Sequence, residues 1–198
     1  DRSHVIGAFT ERNNKEYGQF ATAPVPGSVS ILEYHEPAGT PEQGLLSVQR
    51  IVYAYRDIFA LAQDKEAAGF GGSGACNNNV NCPEGALWQD EKRAVAMILT
   101  SGGFRLCSGA LVNNTREDLT PYFLTANHCL GGEATWVFMF NYESPSCSNI
   151  NGPTWMTVSG SIKRANHNNS DFALLELLEQ PPDSYNVYYA GWSAINEA

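Results

Sequence analysis

Five cysteines, Cys76, Cys82, Cys107, Cys129 and Cys147, constrain this chain more than any other feature. None precedes Cys76, and all five fall in one stretch rich in Gly and Asn. Such clustering points to disulfides made in an oxidising compartment. The rival reading is a structural zinc site, which favours close C-x-x-C pairs, and the sequence contains none. An odd count leaves one cysteine either free or paired with a residue outside this sequence.

The rest of the stretch reads as short strands separated by polar turns. Apolar or alternating segments lie at residues 93–99, 104–112, 122–126, 136–142, 156–162, 171–178 and 187–192. This spacing predicts an antiparallel barrel or sandwich. Residues 136–142 are apolar on both faces, which predicts a strand buried on both sides. Ahead of the cysteines, residues 1–40 read as short strands broken by turns at Asn13-Asn14 and Pro24-Val25-Pro26-Gly27. Residues 45–59 combine helical spacing with strand-favouring residues and are assigned as strand. Residues 62–75 change to small, charged and Gly-rich composition, marking a boundary or processing segment.

Composition excludes some classes. With 43% apolar and 17% charged residues the chain is globular in type. A formal charge of −9 argues against non-specific nucleic-acid binding, which needs cationic groups to neutralise phosphates. No apolar run approaches the ~20 residues that span a bilayer, so no membrane partner is expected. The start, residues 1–9, lacks the basic and apolar regions of a signal peptide. If the protein is exported, its signal is expected upstream of residue 1 or removed.

Four histidines are the candidate general bases near neutral pH. His4 and His35 have no acidic partner in an obvious motif and read as exposed or structurally hydrogen-bonded. His167, in the polar loop Asn166-His167-Asn168-Asn169, reads as solvated or lining a rim. His128 differs. It closes the segment Tyr122-Phe123-Leu124-Thr125-Ala126-Asn127-His128-Cys129, and Cys107-Ser108-Gly109-Ala110-Leu111-Val112 lies upstream. These segments resemble the trypsin-like serine proteases. Their catalytic His lies in T-A-A-H-C, and an upstream cysteine lies in C-S/T/G-G-x-L; Asn127 stands here in place of the second Ala. The spacing from Cys107 to Cys129 suits the disulfide that braces the His loop in that family. Asn113-Asn114-Thr115, residues 121–129 and the run from Cys76 through Asn81-Cys82-Pro83-Glu84-Gly85 are most similar to the bacterial lysyl endopeptidase branch. The last of these resembles the start of the mature enzyme. The branch implies pairing of Cys82 with Cys147, and of Cys76 with a cysteine in the C-terminal half. The resemblance covers about residues 70–198.

The segment Ser170-Asp171-Phe172-Ala173-Leu174-Leu175-Glu176-Leu177 resembles the family's D-x-A-L-L-x-L motif. Its Asp accepts a hydrogen bond from the His Nδ1–H, fixing the tautomer and stabilising the imidazolium. The resemblance therefore implies His128 and Asp171 as catalytic residues, with no cofactor and no metal. The nucleophilic serine should follow them in the chain order of this fold. Ser184 and Ser193 lack the flanking glycines of an oxyanion-hole turn. Gly71-Gly72-Ser73-Gly74 precedes the His and reads as a flexible loop, and Ser108 reads as structural. Asn113-Asn114-Thr115 and Asn168-Asn169-Ser170 fit the glycosylation pattern and read as turns.

The expected fold is all-β. Residues 70–198 form the first antiparallel barrel of a double-barrel protease, and a β-rich pro-segment or accessory region, residues 1–69, precedes it. The second barrel, carrying the serine, is expected outside this chain and joined through Cys76. The expected function is a secreted or extracellular serine endopeptidase acting on peptide or protein substrates; periplasmic or cell-surface placement fits equally. Lys specificity follows the closest branch, although the acidic pocket residue that would justify it is absent here. Two rivals are a non-catalytic binding or adhesion protein on a protease-like barrel, and a metal-binding module using His128, Cys129 and His167.

Overall fold

Alternating side chains build the sheet. In the computed structural model, which describes residues 4–16, 18–39, 44–52, 76–148 and 150–195, seven strands follow Cys76. They are β1 (Val95–Leu99), β2 (Arg105–Val112), β3 (Tyr122–Ala126), β4 (Val137–Phe140), β5 (Thr157–Ser159), β6 (Ser161–His167) and β7 (Phe172–Leu177). Period-two burial is cleanest in β7, where Ala173, Leu175 and Leu177 point inward. Leu175 pairs with Phe123 on β3, and Ile98 of β1 belongs to the same core cluster; both are fully buried. Trp136, Phe138 and Phe140 complete the core, with Phe138 edge-on to Phe123.

All neighbours pair antiparallel in the order β5-β4-β1-β2-β3-β7-β6. The two outermost strands, β5 and β6, are consecutive in the chain and separated by Gly160 alone. Gly160 donates to the Trp136 carbonyl ahead of β4, and its own carbonyl accepts from Leu178 after β7. One residue thus joins the two edges, and the sheet closes on itself as a barrel. The corner has φ +78°, a backbone state that glycine adopts without a Cβ clash. The segment 156–162, expected as one strand, is therefore two, and β6 runs on to His167.

Strand β4 is buried on both faces, as its apolar run predicts. Phe138 and Phe140 enter the barrel, while Val137 and Met139 form a second cluster with Leu99 on the outside. Ala21, from the segment ahead of the cysteines, packs against that cluster. The same segment inserts Lys15, whose side chain is 3% exposed, onto Glu179. Glu179 follows β7 at the end of the strand remote from Asp171, and the Ser159 hydroxyl lies beside its carboxylate.

Two expectations are corrected. Residues 4–16, 18–39 and 44–52 contain no strand, only a 3-10 turn at Glu11–Asn13 capped by Thr10. Pro24, Pro26 and Pro37 remove ladder donors there, and Val29, Ile31, Leu45 and Ile51 remain exposed with no sheet to cover them. The expected β-rich N-terminal segment is thus irregular wherever it is described, and residues 53–59 lie outside the described residues. The segment 187–192 is likewise not a strand. It makes a single parallel bridge, Ala190 to Val112. On the β1 side of β2, pairing stops at Ala110, which leaves Leu111 to Asn113 to bond Ala190. Among the described residues no helix is long and apolar enough to cross a membrane.

Two outcomes test this packing. A Cβ at Gly109 would overlap the Leu124 carbonyl and the Phe123 ring, so Gly109→Ala should cost roughly 1–3 kcal/mol in denaturant unfolding. Glu179→Ala leaves the Lys15 ammonium buried and unpaired, a penalty of about 1–3 kcal/mol. Hydrogen exchange should then quicken in residues 4–23 while the barrel strands keep their protection.

Candidate functional site

The β3–β7 ladder runs from Tyr122↔Glu176 to Ala126↔Phe172. The residue after Ala126 therefore meets the residue before Phe172. The Asn127 N–H donates to the Asp171 carbonyl at 3.0 Å, and the chain then turns through a short 3-10 segment, Asn127–Cys129. That turn brings His128 onto the Asp171 side chain. The His128 backbone N–H donates to Oδ1 at 2.9 Å, and the imidazole Nδ1 lies 2.6 Å from Oδ2. Each carboxylate oxygen thus holds a different atom of one residue, which fixes both the backbone and the ring.

The ionised carboxylate can only accept, so Nδ1 carries a proton, and in the neutral imidazole Nε2 is the nitrogen that keeps its lone pair. Among the described residues Nε2 has no hydrogen-bond partner, and the His128 side chain is 71% exposed. The pair lies open on the surface, where an ion pair adds little stability. Its value is chemical: an oriented imidazole with an accessible basic nitrogen can take a proton from a group placed against it. The imidazole hydrogen bond, followed by the backbone N–H of His128, holds the Asp171 carboxyl below the usual aspartate range. Asp171 itself has φ +50°, in the left-handed region.

Cys107 in β2 is bonded to Cys129, which ties the turn carrying His128 to the sheet. Cys82 is bonded to Cys147, and Cys76 is free and exposed. The sulfurs of Cys107 and Cys129 lie near the His128 ring, with donor atoms within 4.8 Å of one another. Both are held in the disulfide and offer no thiolate, so the metal reading through Cys129 loses its ligand. His167 ends β6 rather than lying in a loop, and its Nδ1 contacts the Ser170 hydroxyl. His4 and His35 are exposed. Ser108 lies within β2 and Ser184 in the 3-10 turn Asp183–Tyr185; neither they nor Ser193 bond to His128. Ser73 and the segment 62–75 fall outside the described residues, which resume at Cys76. Sequence reasoning passed over Asn166 and Asn168, whose amides interlock with that of Asn127 beside the pair. The available signal was Asn127, standing where the motif has Ala.

Residues 70–198 match the family model described as lysyl endopeptidase, C-terminal domain. The chain is similar to a lysyl endopeptidase of Pseudomonas aeruginosa, with 30% identity over 185 residues. That match covers 86% of this chain but 39% of the relative, so the chain spans well under half of its length. Among solved structures, human heparin binding protein is similar at a TM-score of 0.37 and 16% identity, over 55% of this chain and 47% of that one.

The lowered Asp171 carboxyl sets a pH window. Because the folded value lies below the ordinary 3.8, the contribution of the carboxylate is present above 3.8 and is lost as pH falls through the lower folded value. Carboxyl carbon NMR should show Asp171 titrating below 3.8, and His128→Ala should move that midpoint upward.

Proposed function

Because this chain belongs to the lysyl endopeptidase family, we propose that it is the His- and Asp-bearing part of a secreted serine endopeptidase. The two-point contact of Asp171 with His128 carries this reading. His128 Nε2 takes the proton of an incoming serine hydroxyl as the oxygen attacks the peptide carbonyl. Asp171 stabilises the imidazolium that results. The imidazolium then protonates the leaving amine, and the acyl-enzyme is hydrolysed with His128 as base to a water. This scheme calls on no metal or organic cofactor.

In this reading residues 70–198 form the first barrel, and the serine, the oxyanion donors and the pocket for the substrate side chain come from a second. Cys76 links the two through a disulfide. The name of the Pseudomonas relative favours cleavage after lysine. Residues 1–69 act as a pro-segment or accessory region, and the fit of Ala21 and Lys15 against the barrel supports a packed role for them.

The test uses the complete natural protein. A fluorophosphonate should label one serine, and non-reducing mass analysis should show the labelled segment joined through Cys76. His128→Ala and Asp171→Asn should each lower kcat by about 10³–10⁴ on lysyl peptide substrates. Absence of labelling and of peptide hydrolysis would sink the protease reading and leave a binding protein built on this barrel.

A further inference from the structure

His128 and Asp171 are not held by their mutual contact alone. The amide of Asn127 sits between them and the loop that carries Asp171. Its Nδ2 donates to Asn168 Oδ1 at 2.6 Å, and its Oδ1 accepts from Asn166 Nδ2 at 2.6 Å. Asn166 lies on β6 opposite Ala173, and Asn168 lies in the turn between β6 and β7. The carbonyl of Asn168 accepts the backbone N–H of Asp171 at 3.3 Å, and the Asp171 carbonyl accepts from Asn127 at 3.0 Å. These bonds close a ring, from the Asn127 side chain through Asn168 and Asp171 back to the Asn127 backbone.

We propose that Asn127 is a positioning residue that clamps the β6–β7 turn and so holds Asp171 in register with His128. Three features of the site support this. First, Asp171 adopts the left-handed backbone region with φ +50°, and a non-glycine residue stays there when its surroundings impose it. Second, the pair is exposed, His128 at 71% and Asp171 at 49%, so core packing does not press the two together. Third, Asn127 bonds with both ends of its amide, to the end of β6 and to the turn that leads into Asp171. Alanine, the residue of the trypsin-like motif at this position, can make neither bond. The near-isosteric change Asn127→Asp would keep an acceptor for Asn166 but lose the donor to Asn168.

This inference rests on the reading of His128 and Asp171 as a working pair, and the test separates the two. In ¹⁵N-histidine-labelled chain, the His128 Nδ1–H should give a downfield proton resonance that Asp171→Asn abolishes. If the unmodified chain has no such resonance, the pair itself is not formed and the underlying reading fails. If the resonance is present, Asn127→Ala should broaden it by solvent exchange or move it upfield, without loss of the folded spectrum. Asn168→Ala, an exposed turn substitution, should reproduce the change, and the double variant should add little to either. In the complete enzyme Asn127→Ala should lower kcat roughly tenfold to a hundredfold with KM little altered, as expected for a small misplacement of a reacting group. A His128 resonance unchanged in both single variants overturns the proposal.

Discussion

The pairing of β3 with β7 is the constraint on which the site depends. It sets Ala126 opposite Phe172, so the residues just beyond each strand, Asn127 and Asp171, meet by register. A slip of one residue would exchange the faces of β7, sending Ala173, Leu175 and Leu177 to solvent. The hydrophobic pattern that buries β7 is therefore also what aligns the His128 ring with the Asp171 carboxylate. Stability and chemistry share one determinant here.

Closure at Gly160 does for the barrel what that register does for the site. Because β5 and β6 are the two ends of the sheet and also neighbours in the chain, a single residue with φ +78° joins those ends. It also leaves β7 bonded on both sides, to β3 and to β6. A central strand of this kind offers a rigid base for Asp171. At the turn between β6 and β7 the amides of Asn127, Asn166 and Asn168 interlock.

The outer face of β4 shows how the irregular segment ahead of Cys76 relates to the barrel. Val137, Met139 and Leu99 form an apolar surface outside the barrel core, and Ala21 packs on it. Lys15 anchors the same segment on Glu179. Asp171 precedes β7 and Glu179 follows it, so this anchor and the His128 pair occupy opposite ends of one strand. Lys15 thus ties the segment to the barrel at the end of β7 remote from the His128–Asp171 pair.

Much of this was legible in the residues. The positions of β1 to β4 and β7 and the double burial of 137–140 follow local pattern, since period-two burial is a local property, whereas His128 and Asp171 stood out by their resemblance to the trypsin-like motifs. Local pattern misled in the N-terminal region. There Val29, Ile31 and Leu45 look like strand residues, but a strand needs a partner ladder and a face to bury, and prolines deny the first. It misled again at 187–192, where β2 had too little free edge left. By itself the sequence determined the alternating pattern that the barrel strands follow and placed a histidine and an aspartate each beside a strand end. Only the tertiary structure decided that Gly160 joins the sheet edges, that Lys15 reaches Glu179, and that Asn127 grips Asn166 and Asn168. Each of these depends on residues far apart in the chain, whose meeting is set by strand order and register and not by any local preference.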